Sequence, residues 1–156
     1  GITDGCPTLG ELTCPELVVT RDEMAQFLWR FREMPAVSIV APFDDVSTEA
    51  SYGLAVDWLA EAEITLGCTP TTYCPEGTVT RAEMAAFLWR LEGSPVGSAT
   101  AGFADVPVEF FAEPAIDWLL ASGTTVGCTS TTYCPEELVT RAEMFTFLQR
   151  LETATT

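Results

Sequence analysis

The chain has 156 residues, enough for one domain with a core of its own, and carries 23 acidic against 7 basic residues for a net charge of −16. It contains no lysine and no histidine, so every cation is an arginine, which argues against binding to nucleic acid or adsorption to an anionic membrane and excludes a Ser-His-Asp or Cys-His site built from this chain alone. No apolar run approaches membrane-spanning length, and no signal peptide stands at Gly1, so the chain reads as a mature protein or an excerpt.

In chain order, residues 1–35 hold the back half of a repeating unit: a loop from Cys6 to Cys14, then Val19-Thr20-Arg21-Asp22-Glu23-Met24 and an apolar segment ending at Met34-Pro35. Residues 36–42 form a short apolar connector expected to pack along the domain. Residues 43–95 are a whole repeat, opening on Phe43-Asp44-Asp45-Val46 and followed by a short helix predicted at about Leu54 to Ala62. A loop from Cys68 to Cys74 comes next, then Val79-Thr80-Arg81-Ala82-Glu83-Met84. Residues 96–102 read as a flexible connector. Residues 103–156 repeat the pattern, with Phe103-Ala104-Asp105-Val106, a short helix having Pro114 in its first turn, Cys128 to Cys134, and Val139-Thr140-Arg141-Ala142-Glu143-Met144. Glu152 to Thr156 is expected to fray.

A period of sixty residues sets the architecture. Thr80 and Glu83 form a capping box, in which the hydroxyl accepts from the Glu83 amide and the carboxylate accepts from the Thr80 amide. Val79 and Met84 are placed as a hydrophobic staple, and Met84, Phe87, Leu88 and Leu91 share one helical face. Gly93 and Pro95 end the helix. The same signals stand sixty residues to either side, so three capped helices are predicted.

Arg21, Arg81 and Arg141 occupy the first turn, where the helix dipole disfavours a cation. Two readings follow. Each arginine either reaches water and pairs with a nearby carboxylate, or joins the exposed helix amides in an anion site. Arg30, Arg90 and Arg150 also recur at the period, leaving only Arg32 outside it.

The six cysteines fall into local pairs, Cys6 with Cys14, Cys68 with Cys74 and Cys128 with Cys134. Even, regular placement points to disulfides and an oxidising extracellular setting, whereas thiolate zinc sites show tighter spacing. No metal ion or cofactor is expected: the acidity leaves room for a calcium site, but nothing approaches the EF-hand loop.

Trp58 and Trp118 lie on the apolar face of the short helices and are expected in the core. Trp29 and Trp89 fall one position off the stripe of the capped helices, with Gln149 in their place in the third copy, so they are expected to meet a neighbouring helix or a ligand. Asp45, Asp105, Asp57 and Asp117 recur and are expected to cap or bond locally. Glu49 and Glu109 also recur, and a glycosidase-like carboxylate pair there carries little weight. Three capped helices but two Trp helices leave a flank beside the first capped helix that needs an upstream segment or another chain.

Phe-x-Asp-Val, a Trp helix, a Gly-containing loop ending in Tyr-Cys-Pro, and Thr-Arg-Ala-Glu-Met before an apolar helix together resemble the S-layer homology (SLH) domain over nearly the whole chain. The resemblance implies an all-α, pseudo-threefold SLH-repeat bundle, here with long loops pinned by local disulfides. It implies one domain over residues 1–156, with 1–35 a partial first repeat. It implies a non-catalytic bacterial cell-surface module that binds an anionic secondary cell-wall polysaccharide, of the pyruvylated type, and anchors a surface protein. It places Arg21, Arg81 and Arg141 in the binding groove; Trp29 and Trp89 are added as candidate ligand-binding residues on the physical reading that an aromatic wall stacks on a sugar face. A self-assembling subunit of a surface array or extracellular filament is the alternative.

Overall fold

The computed structural model describes residues 14–47 and 49–154, which fold as five helices and a few isolated β-bridges, an all-α architecture. The capped helices are α1 (Arg21–Phe31), α3 (Arg81–Leu91) and α5 (Arg141–Ala154), and the short helices are α2 (Gly53–Glu61) and α4 (Glu113–Ala121). The capping box forms as its spacing requires: Thr80 Oγ1 accepts from the Glu83 amide at 3.2 Å, and Glu83 Oε2 accepts from the Thr80 amide at 2.9 Å. Thr140 and Glu143 do the same at 3.3 and 2.9 Å. In α1 the Thr20 hydroxyl donates to Asp22 Oδ1, a carboxylate that stands where α3 and α5 carry alanine. The helix α5 continues through Glu152 to Ala154, past the point where fraying was expected.

The residue before each cap ties the three copies together. The Val79 amide donates to Val19 O (2.9 Å), Val19 to Val139 O (2.8 Å) and Val139 to Val79 O (3.0 Å), a closed ring of three backbone hydrogen bonds about a pseudo-threefold axis. All three valines are fully buried, with Met24, Met84 and Met144 beside them in one continuous core. That core also takes Ala55, Val56 and Leu59 of α2, which packs on α1, and Ala115, Ile116 and Leu119 of α4, which packs on α3. Trp58 is buried, as its face predicts, while Trp118 is half-buried against the same core.

The recurring aspartates act at long range, not locally. Asp45 accepts from the Tyr73 and Cys74 amides at 2.7 Å each, and Asp105 from the Tyr133 and Cys134 amides at 2.8 and 2.7 Å. The Phe-x-Asp-Val motif therefore grips the Tyr-Cys-Pro turn of its own repeat. Asp57 accepts from the Ala41 amide at 2.8 Å, and Asp117 from the Ala101 amide at 2.7 Å. Both connectors are thus fastened to the short helices, including the 96–102 segment that its composition marks as flexible.

Disulfides join Cys68 to Cys74 and Cys128 to Cys134, each with Cα atoms 6.1 Å apart. Cys14 is disulfide-bonded as well, while its expected partner Cys6 lies outside the described residues.

Candidate functional site

Each arginine of the first helical turn is buried, with relative exposures of 6, 5 and 5 % for Arg21, Arg81 and Arg141. A buried guanidinium needs its donors matched, and the match comes from the next repeat. Arg21 Nε donates to Tyr73 O at 2.8 Å and Arg81 Nε to Tyr133 O at 2.9 Å. The phenols return the bond, Tyr73 Oη donating to Arg21 O at 2.7 Å and Tyr133 Oη to Arg81 O at 3.0 Å. Each guanidinium lies over two rings, Arg21 over Tyr73 and Phe87 at 5.0 and 5.5 Å, Arg81 over Tyr133 and Phe147 at 4.9 and 5.5 Å. Burial pushes both phenols well above their ordinary range.

The capping glutamate completes the arrangement. Glu83 Oε1 accepts from Arg21 at 3.4 Å, Glu143 Oε1 from Arg81 at 3.2 Å, and Glu23 Oε1 from Arg141. One oxygen of each carboxylate closes its own capping box while the other holds the arginine of the preceding repeat, so the ion pairs run round the threefold like the valine ring. Arg141 differs from the other two. Its Nε and Nη1 are buried without a hydrogen-bond partner among the described residues, and the first-repeat position that matches Tyr73 and Tyr133 is Thr13, which lies outside them.

The expected pairing with a nearby carboxylate forms, but on buried arginines. They do not reach water, and the helix amides beside them are taken: the Arg21 amide donates to Gly77 O and the Asp22 amide to Pro75 O, with the matching bonds repeated in α3 and α5. The open helix N-terminus that an amide anion site requires is filled by the neighbouring loop.

What remains open is a groove beside Arg21 and another beside Arg81. One, about 210 Å³, is lined by Arg21, Thr65, Leu66, Glu83, Phe87, Arg90 and Phe111 among others. A second, about 280 Å³, is lined by Arg81, Thr125, Val126, Glu143, Thr146, Phe147 and Arg150 among others. Each combines two arginines with one glutamate. Arg90 and Arg150 recur at the sequence period with no local sign of a role; nine residues after Arg81 and Arg141, they line the groove of the preceding repeat's arginine. Burial lowers the affinity of Arg90 for its proton, and it donates to Ile64 O at 3.4 Å.

Trp29 and Trp89 are not brought together with the arginines. Both are half-buried against the core, and their indole N–H groups donate to Pro35 O (3.0 Å) and Pro95 O (2.8 Å), closing the C-terminal ends of α1 and α3. Trp89 lines a different cavity with Pro95, Pro114 and Asp117. The grooves instead place Leu66 or Val126 at the surface, each following a threonine and preceding Gly67 or Gly127.

Residues 42–85, from Pro42 through the Phe-x-Asp-Val motif, α2 and the disulfide loop into α3, match the S-layer homology domain family. The similarity to the S-layer homology domain is thus shown for this stretch of the chain. Of the residues lining the Arg21 groove, Thr65, Leu66, Gly67 and Glu83 lie within the matched stretch. No curated protein sequence matches the chain. An S-layer homology domain implies a cell-surface module that binds cell-wall polysaccharide, a binding role and not a catalytic one. No helix among the described residues is long and apolar enough to cross a membrane.

Proposed function

We propose that residues 1–156 act as a single wall-anchoring unit whose grooves take the acidic substituents of a secondary cell-wall polysaccharide, of the pyruvylated type. Arg21, Arg81 and Arg141 form the buried floor of the threefold, and Arg90 and Arg150 are the second cations at the two described grooves. The observation that carries this reading is charge placement. In a chain of net charge −16, each described groove sets two guanidinium groups against one carboxylate. A carboxylate ligand supplies the missing negative charge, and low local dielectric strengthens its charge-assisted bonds.

The buried arginines are poor targets for a test, because their loss would break the ring. Arg90 and Arg150 are half-buried and exposed respectively, and carry the test instead. Oxidised protein is expected to sediment with purified bacterial sacculi bearing acidic secondary polymer. The Arg90→Ala/Arg150→Ala variant, folded by circular dichroism, should bind roughly tenfold or more weakly, the scale of one or two lost charge-assisted bonds. Equal binding by both proteins rejects the groove assignment.

One observation favours a second reading, self-assembly. Ala25 and Ala85, on the faces of α1 and α3 that receive α2 and α4, are fully buried, whereas Phe145 at the same position of α5 is 37 % exposed. A cavity of about 480 Å³ opens there, between Phe27, Phe31, Phe145 and Leu148. If this face drives association, light scattering will show assembly that rises with concentration and that Phe145→Glu abolishes; a monomer at all concentrations removes the reading.

A further inference from the structure

We infer that Phe111 makes the Arg21 groove the principal binding site, its ring serving as a platform for the apolar face of a sugar whose acidic substituent lies at Arg21 and Arg90. This rests on the wall-binding reading above and assigns it to one groove.

The argument starts from a large apolar side chain left in water. Phe111 is 62 % exposed, and burying it would have stabilised the fold by about 2 kcal/mol. It stands at the groove of Arg21, Leu66, Phe87 and Arg90. It does not hang loose there. Its neighbour Phe110 is half-buried against the core, and the two rings pack at 4.7 Å between centroids, tilted by 56°. An exposed ring with a fixed backing, beside a cationic groove, has the two features that recognition of an acidic sugar needs: an apolar plane for the C–H face of a pyranose and a charge for its acid group.

The third repeat alone supplies this ring. The second repeat carries Ala50 and Ser51 where the third has Phe110 and Phe111. The Arg81 groove has the same two arginines and one glutamate, but its described lining holds no exposed aromatic residue, and Thr146 replaces Ala86. Among the described residues the two grooves match in charge, and the exposed aromatic wall stands at the Arg21 groove. The Arg21 groove also joins all three repeats, because Arg21 comes from the first, Glu83, Phe87 and Arg90 from the second, and Phe111 from the third. A ligand held there bridges the whole ring.

The test is an amide NMR titration of the oxidised chain. The probes are a methyl hexopyranoside carrying a 4,6-linked carboxyethylidene ketal, the same glycoside without the ketal, and pyruvate alone. With the ketal sugar, amides of Thr65, Gly67 and Phe87 are expected to saturate at lower concentration than those of Thr125, Gly127 and Phe147. Phe111→Ala, an exposed change that leaves the fold intact, should weaken the first set roughly tenfold and leave the second unchanged. Wild-type affinity in Phe111→Ala, with affinity lost in Arg90→Ala, overturns the platform while sparing the wall-binding reading. Pyruvate binding as tightly as the ketal sugar overturns it too. Silence of both grooves toward every probe overturns the wall-binding reading itself.

Discussion

A guanidinium in the first turn of a helix is electrostatically misplaced, and here the misplacement is repaired by the neighbouring repeat. Glu83, through its bond to Arg21, lends the charge, and Tyr73 lends a carbonyl and a ring. Glu83→Gln keeps a capping acceptor but removes the charge beside a buried cation. Discounted for the partial exposure of Glu83, the loss is expected at about 1–2 kcal/mol in urea unfolding; no change in midpoint would show the pair to be idle. The tyrosines give a pH test. Their folded pKa values lie above the ordinary value of 10.0, so the unfolded chain loses these protons first as pH rises. Stability should therefore be constant up to about pH 10 and fall above it, with Tyr73 and Tyr133 ionising only as the protein unfolds, read by absorbance near the phenolate band. The positions of Arg21, Arg81 and Arg141 were legible in the sequence because they repeat. Their burial was not, because each partner glutamate lies 62 residues along the chain for Arg21 and Arg81, and no local pattern reports a contact made round a threefold.

At the scale of elements, the capped helices follow from their own residues, and structure and sequence agree to within a residue at their starts. The Trp helices were equally visible. What sequence could not show was the purpose of the motif ahead of them, since Asp45 acts 28 and 29 residues away on the Tyr73 and Cys74 amides. Tyr73 in turn supports Arg21, so Asp45→Ala should loosen the Arg21 groove from a distance. A loss of about 2 kcal/mol is expected for two bonds to one carboxylate, together with faster hydrogen exchange at the loop. Gly67 shows the same tightness. Its φ is +79°, and a Cβ there would stand 2.4 Å from Thr69 O and 2.6 Å from the Phe43 ring. Gly67→Ala should cost about 2 kcal/mol or more, whereas at Gly93, which has the same positive φ but open space around it, only the backbone strain of about 1 kcal/mol applies. Equal effects at the two glycines would contradict the packing described for the loop. Removing the Cys68–Cys74 disulfide should cost about 2 kcal/mol, the chain-entropy value for a loop this short.

At the scale of the molecule, three copies of one helix start close a ring of backbone bonds, and two Trp helices pack outside it. The acidic surface and the cationic grooves are parts of one charge pattern. The groove contents were half legible: one arginine of each pair stood in a recognised motif, while Arg90, Arg150 and Phe111 reach the grooves from other repeats and needed the closed ring to be seen. The measurement that tests the central claim most directly is calorimetric titration of the protein with purified wall polysaccharide, before and after mild acid has cleaved its carboxylate-bearing ketals. The arginine-groove account predicts saturable binding to the intact polymer and its loss after cleavage. Undiminished binding to the stripped polymer would contradict it.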